Sequence, residues 1–506
     1  MKNIDTITLR NRNAHGRDRC LSRPKRLTAV ARTLLLALAP LMGGVSTSRA
    51  ASWINSDPEG GDWHTAANWT GTSIPTTANT VQIYNGGWTK IISANASSGT
   101  MTIGGTQGTG RLSITGYTLT MGSTSSISLG VGANAQEGTL EVNAGGSVIA
   151  GGLIQLGYAG TLTVNSGGTV SSTNDLYVGN TASGTGYVTV DGGSLTMNTI
   201  TLGRQANASG YLEVSNGGSV TANTLTLGSG STYTGYLYIG GRTTTKAAGT
   251  LNVATVAASG NNSELHFNHT NTDYRFVTKD GGVIAITGKV KLRQDAGTTI
   301  LEAASTYTGG TQISGGTLLV DNADSDTSGT GTGAVEVQAG GALGGAGRIS
   351  GAVTVHGTLQ DARNTSILNF ANDVTLASDA TVSLALGGQT RGEDYWSFTV
   401  AAGKTLTLGG TLNVSFLEDL VLTDGQSVSF TLFSAETAGS FSSVALPYTW
   451  KGSSLDWDTT QLASAGVLSV IASAVVPEPR ATGILIGLAA IAGLLAVRKI
   501  RAARSR

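Results

Sequence analysis

The sequence predicts an all-β protein, a right-handed parallel β-helix or β-solenoid, with an N-terminal signal helix and a C-terminal transmembrane helix. Three observations lead to this prediction. Glycine accounts for 73 of the 506 residues, and charged residues for only 12%. Short segments alternate apolar and polar side chains, which is typical of strands with one buried face. Similar segments recur at intervals close to 24 residues, and such repetition is typical of stacked coils.

The repeats are clearest in four consecutive units that begin at Gly138 and have lengths of 22, 26, 24 and 25 residues. Each unit has an alternating strand, a Gly-Gly pair that allows a turn with positive φ, and a second strand. The predicted inward side chains are Leu140/Val142, Leu162/Val164, Val188/Val190 and Leu212/Val214 in the first strands, and Ile154/Leu156, Leu176/Val178, Ile200/Leu202 and Leu225/Leu227 in the second. The glycine pairs are 145/146, 167/168, 192/193 and 217/218.

Stacked coils would pair each strand with its equivalent in the next unit, about 4.8 Å away. From Thr89 to Val470 this predicts about 12 to 15 coils. A β-sandwich also has short strands, but it has no reason to repeat the same residues at the same offsets.

We expect six segments along the chain. They are a signal peptide (1–50), a Trp-rich cap with the first strands (51–100), solenoid repeats (101–300), a distinct repeat (301–360), further strands with a C-terminal cap (361–474), and a C-terminal sorting signal (475–506) that contains a transmembrane segment (481–497).

The N-terminal segment has the charged, apolar and small-residue order of a secretory signal. Basic residues precede an uncharged stretch from Thr33 to Val45, and Ser48 and Ala50 supply small side chains before a cut at Ala51. The expected partners are therefore signal peptidase and a secretion translocon. The single cysteine, Cys20, lies in this leader, so we expect no disulfide in the exported body.

The charge distribution separates the two ends from the body. The termini hold 10 and 6 basic residues and only 2 acidic ones, which leaves 15 basic and 29 acidic residues between Ala51 and Pro479. A body this acidic is repelled by nucleic acid, so we expect no nucleic-acid partner.

The C-terminal segment predicts a membrane helix. Ala481 to Val497 are uncharged, and a helix of this length spans roughly 25 Å. The basic residues after it, among them Arg498, Lys499 and Arg501, would stay in the cytoplasm, with the body outside.

The motif Pro477-Glu478-Pro479, followed by the apolar span and the basic tip, resembles the PEP-CTERM sorting signal of exported proteins of Gram-negative bacteria. The resemblance implies processing by an exosortase-type enzyme. The protein would be held in the inner membrane before processing, and would then reach the cell envelope, the outer surface or the extracellular matrix. The basic tip is more dispersed than in that family, and a plain tail anchor is the alternative.

A second resemblance covers Ser305 to Leu359, "STYTGGTQISGGTLLVDNADSDTSGTGTGAVEVQAGGALGGAGRISGAVTVHGTL". This stretch is similar to the autotransporter-associated β-strand repeat, which implies a β-helical passenger of a surface protein. An autotransporter would continue into a membrane barrel of usually well over 200 residues. Because fewer than 150 residues follow Leu359, we expect the sorting tail to supply the route to the surface.

Tryptophans cluster near the start of the body. Trp53, Trp63, Trp69 and Trp88 could stack on sugar rings, or they could close the open end of the first coil, and the cap is the favoured interpretation. The stretch "LDWDTTQLASAGVLSV" is similarly expected to form a terminal strand pair or cap, together with Trp450 and Trp457.

Signals for catalysis or metal binding are weak, and we expect no catalytic, cofactor-binding or metal residues. His266 and His269 lack ligands at matching spacing for zinc. Asp321, Asp324 and Asp326 favour a solvated turn, with weak calcium binding left open.

Thr, Ser and Asn are expected on the outer face, so the sequence favours a non-enzymatic surface solenoid. The alternative is a β-helix that binds or degrades polysaccharide, with exopolysaccharide as partner.

Overall fold

The chain folds into a stack of coils, most of which contribute three strands each. The structure is a computed structural model that describes residues 50–132, 134–324, 326–474 and 490–499. Ser48, Arg501 and the motif Pro477-Glu478-Pro479 lie outside these residues. Five of the six sheets contain only parallel pairs between successive coils, which confirms the all-β class and fits the predicted solenoid.

One face is a single sheet of 16 strands, called the long sheet here. At the usual strand spacing it extends for roughly 70 Å. Fifteen of its strands lie from Trp88–Ile91 onward, which agrees with the 12 to 15 coils predicted from Thr89 to Val470, and Gly61–Asp62 precedes them. Its strands are Gly61–Asp62, Trp88–Ile91, Gly110–Ile114, Gly138–Val142, Ala159–Asn165, Thr185–Asp191, Ser209–Ser215, Thr234–Gly240, Glu264–Asn268, Lys291–Ala296, Thr311–Ile313, Val335–Val337, Val353–Val355, Val374–Leu376, Thr405–Leu408 and Glu436–Gly439.

The second face consists of two sheets in succession. A seven-stranded sheet contains Ala96–Ser98, Thr118–Met121, Ser147–Ala150, Thr169–Ser172, Ser194–Thr196, Ser219–Thr221 and Thr250–Asn252. An eight-stranded sheet then takes the same place in the coil, with Tyr274–Arg275, Thr298–Leu301, Gly316–Val320, Gly341–Gly345, Thr358–Leu359, Thr381–Leu386, Thr411–Phe416 and Ser443–Ala445.

The third face is divided in the same way. A ten-stranded sheet contains Ala51–Ser52, Val81–Ile83, Met101–Ile103, Ile127–Leu129, Ile154–Leu156, Leu176–Val178, Thr199–Leu202, Thr224–Leu227, Thr255–Ala258 and Ala285–Gly288. A four-stranded sheet follows, with Arg348–Ile349, Ser366–Phe370, Trp396–Val400 and Phe433–Ser434.

The core lies between the faces as columns of aliphatic side chains. Leu140 pairs with Leu162, which pairs with Val188, and the column continues to Leu212. These side chains are at most 1% exposed, so the predicted register is confirmed. Each fully buried Leu or Val contributes about 1.5–3 kcal/mol relative to exposure in water. Because every coil repeats this burial, the stack is stabilised along its length.

The glycine pairs serve two different purposes. The first glycine of each pair has positive φ, for example +75° at Gly167 and +76° at Gly217, as predicted. The second glycine lies against the preceding coil: a Cβ on Gly168 would be 2.4 Å from the Val142 carbonyl oxygen. The turn therefore needs glycine once for its dihedral angles and once for close backbone approach.

Both ends of the coil stack carry additional structure. At the N-terminal end, a 3₁₀ helix, Ala66–Asn68, follows the first strands. At the C-terminal end, an antiparallel sheet contains Ser427–Thr431, Val467–Ala474, Ser453–Asp458 and Thr449–Trp450, with the short helix Leu462–Ala465 beside it. The predicted terminal strand pair is thus confirmed.

A further helix covers residues 490–499 and includes Arg498 and Lys499. Within the part of the chain that the structure describes, no helix has the length and apolar character needed to cross a membrane. Residues 481–489, about half of the predicted span, lie outside that part.

Candidate functional site

Outward side chains of the long sheet change in character along the coils. Thr139 and Thr161 occupy one outward column and agree with the predicted hydroxyl-rich surface, but the next three positions are Tyr187, Tyr211 and Tyr236. The neighbouring column passes through glutamate, tyrosine, histidine and arginine. The prediction of a Thr, Ser and Asn surface is therefore wrong for these coils. The strands keep their alternation of inward and outward side chains, but tyrosines occupy the outward positions.

The three tyrosines form a stack. The ring centroids of Tyr187 and Tyr211 are 5.0 Å apart, and those of Tyr211 and Tyr236 are 4.6 Å apart, with nearly parallel planes. Burial raises the pKa of Tyr211 and Tyr236, so both phenols stay neutral. Since the rings cover one another's faces, the stack presents mainly ring edges and hydroxyl groups to solvent. We call these three side chains and Arg242 the tyrosine patch.

A loop at 241–249 folds back over two earlier coils beside this patch. The Lys246 ammonium lies 2.7 Å from a Glu213 carboxylate oxygen and 3.2 Å from Asp191. The Arg242 guanidinium carbon lies 4.9 Å from the Tyr187 ring centroid, and the Arg242 backbone N–H donates to Glu213. Burial lowers the pKa of the Lys246 ammonium, but the hydrogen bonds to Glu213 and Asp191 raise it by more. The net pKa is therefore raised. The loop is thus held by ion pairs that join three coils.

A second charged group, which we call the histidine cluster, consists of Glu264, His266 and Asp295. His266 Nε2 is 2.8 Å from Glu264, and Nδ1 is 2.8 Å from Asp295. The imidazole is nearly buried and stacks on Tyr238 at 4.4 Å. Burial lowers the pKa of His266, but the hydrogen bonds to Asp295 and Glu264 outweigh it, so the net pKa is raised. The cluster therefore places the imidazole between two carboxylates that favour its protonated form.

His269 does not join this cluster. Its ring is buried, Nε2 lies 2.9 Å from Thr299 Oγ1, and burial lowers its pKa to about 4. The structure therefore gives the two histidines separate surroundings. Among the described residues, no group of three His, Cys, Asp or Glu side chains could hold a metal ion. In the histidine cluster the distances are those of direct hydrogen bonds, which leave no room for an ion.

The three aspartates that left calcium binding open do not converge. Both Asp321 and Asp361 accept hydrogen bonds from the Arg363 guanidinium, at 3.0 and 2.9 Å. Asp324 accepts from the backbone N–H of Asp326 in a local turn. Because Asp321 is already paired with a cation, the arrangement favours a structural ion pair joining two coils.

The N-terminal tryptophans form a buried cluster. Trp53, Trp63 and Trp69 are at most 2% exposed. The rings meet edge to face, with centroids 5.0 Å apart for Trp53 and Trp69 and 4.7 Å apart for Trp63 and Trp69. Trp69 Nε1 donates to the Trp63 carbonyl oxygen at 2.7 Å. These side chains cannot stack on a sugar ring, and their burial supports the cap interpretation.

Trp88 lies outside that cluster and is half-buried. The Lys90 ammonium and the Arg111 guanidinium lie 4.1 and 3.9 Å from its ring centroid. Arg111 also donates twice to Glu141, at 2.7 and 2.8 Å. The ring thus takes part in a network of charged side chains that joins adjacent coils.

At the C-terminal end, Trp450 and Trp457 pack against Phe416, with ring centroids 5.1 and 5.8 Å apart. Their indole N–H groups donate to the carbonyl oxygens of Leu420 and Pro447. These contacts attach the antiparallel sheet to the end of the coil stack, as expected for a cap.

A sequence signal for the tyrosine patch was present. Tyrosine follows glycine at the same offset in three successive units, at Tyr187, Tyr211 and Tyr236, which places the rings in one column. The histidine cluster had no comparable signal, because the preceding unit has Tyr236 and Tyr238 at the positions of Glu264 and His266.

Comparison with known proteins supports one of the two resemblances. A family model described as the passenger-associated-transport-repeat matches residues 293–320. No curated protein matches the chain. The matched residues begin in the strand Lys291–Ala296 and end in Gly316–Val320, which is a little over one coil. The chain is therefore similar to this repeat family over a short part of a parallel solenoid.

Proposed function

We propose that this protein is an exported structural protein of the cell surface or extracellular matrix. Its role would be to form a rigid, acidic solenoid that extends into these surroundings. The observation that carries the proposal is the continuous 16-stranded parallel sheet, with additional packed structure at both ends. The match to a passenger-associated-transport-repeat supports export. Exposed strand edges at the ends of a coil stack would pair with further copies of the chain. Covered ends prevent this pairing.

The arrangement of carboxylates supports a non-enzymatic role. On the outer face of the long sheet, Glu141 pairs with Arg111, Glu213 with Lys246, and Glu264 with His266. A glycosidase instead keeps two carboxyl groups available on either side of a substrate bond. The first two contacts join successive coils, and the third links two residues of one strand. Each of the three carboxylates is therefore already paired with a basic side chain.

In this proposal, sorting signals at the two ends of the chain direct its export. A cut by signal peptidase before Ala51 leaves the fold intact, because Ala51 begins the first strand and pairs with Val81. An exosortase-type enzyme then processes the chain at Pro477-Glu478-Pro479. The prolines keep this motif extended outside the membrane, and the basic residues after the apolar span remain in the cytoplasm.

The test is to change Pro477, Glu478 and Pro479 together to alanine in a host that has the processing enzyme. We expect the wild type to lose its tail and appear outside the cell, and the variant to remain at full length in the inner membrane. The measurements are intact mass and cell fractionation. Val475→Ala with Val476→Ala is the matched control and should be processed. Equal mass and equal release of wild type and triple variant would show that the tail is only an anchor.

Polysaccharide binding is a second candidate function, favoured by the tyrosine patch. Arg242 is exposed, and among the described residues its guanidinium donates no hydrogen bond. A glycan array with residues 51–474 tests this function. Binding that is lost in Arg242→Gln and retained in Trp63→Ala/Trp69→Ala would support it, and the absence of any binding would exclude it for the glycans tested.

A further inference from the structure

The solenoid has a junction between residues 250 and 300. On the second face the seven-stranded sheet ends at Thr250–Asn252, and the eight-stranded sheet begins at Tyr274–Arg275. On the third face the ten-stranded sheet ends at Ala285–Gly288, and the next strand of that face is Arg348–Ile349. Among the described sheets, only the long sheet runs through the whole of this region. Between the coil of Glu264–Asn268 and the coil of Lys291–Ala296, the second face adds only the two-residue pairing of Tyr274–Arg275 with Thr298–Leu301, and no further strand joins the ten-stranded sheet. The long-sheet pairing is therefore the longer of the two strand pairings between these coils.

That pairing is irregular. Phe267 pairs with Gln294, whereas Asn268 pairs with Ala296, so Asp295 has no partner on the preceding strand. A β-bulge of this kind locally disrupts the strand pairing. Asp295 lies on the same outward face as Arg293, the partner of His266, and its carboxylate lies 2.8 Å from His266 Nδ1. The unpaired residue of the bulge is thus one of the two acceptors of the histidine cluster.

Both acceptors are satisfied only when His266 is protonated. A neutral imidazole has a single N–H, so one of its nitrogens would present a lone pair to a carboxylate oxygen 2.8 Å away. The other charged groups near the cluster are Arg293, whose Nε is 3.7 Å from Asp295, and Lys291, which acts on Glu264 through its charge. From the preceding coil the ring of Tyr238 stacks on His266, and burial raises its pKa to about 12, so it stays neutral.

We propose that Glu264, His266 and Asp295 form a pH-dependent contact that holds the bulged strand pairing at the junction and weakens it when His266 loses its proton. The sign follows from the raised pKa of His266 in the folded protein. The stabilisation is complete below the ordinary histidine pKa near 6.5, and it is lost as the pH rises through the higher value of the folded state. The junction is therefore tighter in acid and looser in mildly alkaline surroundings.

Two measurements on the exported protein test this proposal. The first is an NMR titration with labelled histidine, which is practical because the full chain has five histidines. We expect the His266 ring to titrate above the ordinary pKa of about 6.5. The second is hydrogen exchange at pH 6 and pH 9, corrected for intrinsic rates. We expect amides in 264–268 and 291–296 to lose protection at pH 9 relative to amides in 185–191, because the raised pKa of His266 makes the contact weaker once the proton is lost.

His266→Gln removes the titrating imidazole. In this variant, the difference in hydrogen exchange at the junction between pH 6 and pH 9 should disappear. The matched control is His356→Gln, because His356 also contacts a carboxylate, Asp379 at 3.0 Å, but both side chains are largely exposed. This control should keep the wild-type pH response at the junction. A His266 ring that is neutral at pH 6 in the wild type would overturn the proposal, even if His266→Gln failed to fold. An unchanged pH response in a folded His266→Gln variant would do the same.

Discussion

At the scale of single residues, adjacent side chains of one strand have opposite surroundings. Val148 is fully buried, whereas Ile149 is 48% exposed. Val148→Asp would place a charge inside the aliphatic column and should lower the free energy of unfolding on the order of 4 kcal/mol. Ile149→Asp should change it by less than about 0.5 kcal/mol. Urea unfolding of the two variants measures the difference, and equal effects would contradict the register.

The alternation of residues predicts which side chains point inward, but not how well the outward ones are covered. Thr201 points away from the column of Leu202, yet it is only 8% exposed because it lies between Tyr177 and Thr226 of the adjacent coils. We expect a charge at Thr201 to be less well tolerated than one at Ile149. The role of Trp63 could not be decided from sequence, since burial of an indole depends on packing against other coils.

At the scale of the turn, the two glycines of a pair should respond differently to substitution. Gly168→Ala would bring a Cβ to 2.4 Å from the Val142 carbonyl oxygen, and should cost about 1 to 3 kcal/mol of stability. Gly217→Asn should cost less than about 1 kcal/mol, because a Cβ there meets no atom within 4 Å, and Asn207 already adopts positive φ.

Thermal unfolding of the two glycine variants provides the measurement. A larger loss of stability in Gly217→Asn than in Gly168→Ala would contradict the two separate uses of glycine in this turn.

The strand order within a coil was predictable because the repeat preserves its offsets from Gly138 onward. The changes of sheet on the second and third faces were not, since they occur where the repeat weakens and strand pairing alone decides the register. The bulge at Asp295 is of this kind, because one extra residue in a strand has no sequence signature.

At the scale of the whole molecule, the C-terminal cap should keep the coil stack from associating. Phe433 stacks on Phe398 at 5.5 Å, and Phe430 is fully buried. A chain that ends at residue 426 would expose Phe398 and the aliphatic columns of the last coils, so we expect it to associate or aggregate. Size-exclusion chromatography with light scattering measures this against a chain that ends at residue 474. A monomeric shorter chain would show that the cap is dispensable.

We expect the buried tryptophan cluster to provide a starting point for folding. Contacts in the stack join residues roughly one coil apart, so each coil needs only its predecessor as a template. Trp53, Trp63 and Trp69 precede the other coils in the order of synthesis, and they pack into the same hydrophobic core as those coils. We therefore expect the chain to assemble vectorially, one coil at a time, with each docked coil serving as the template for the next.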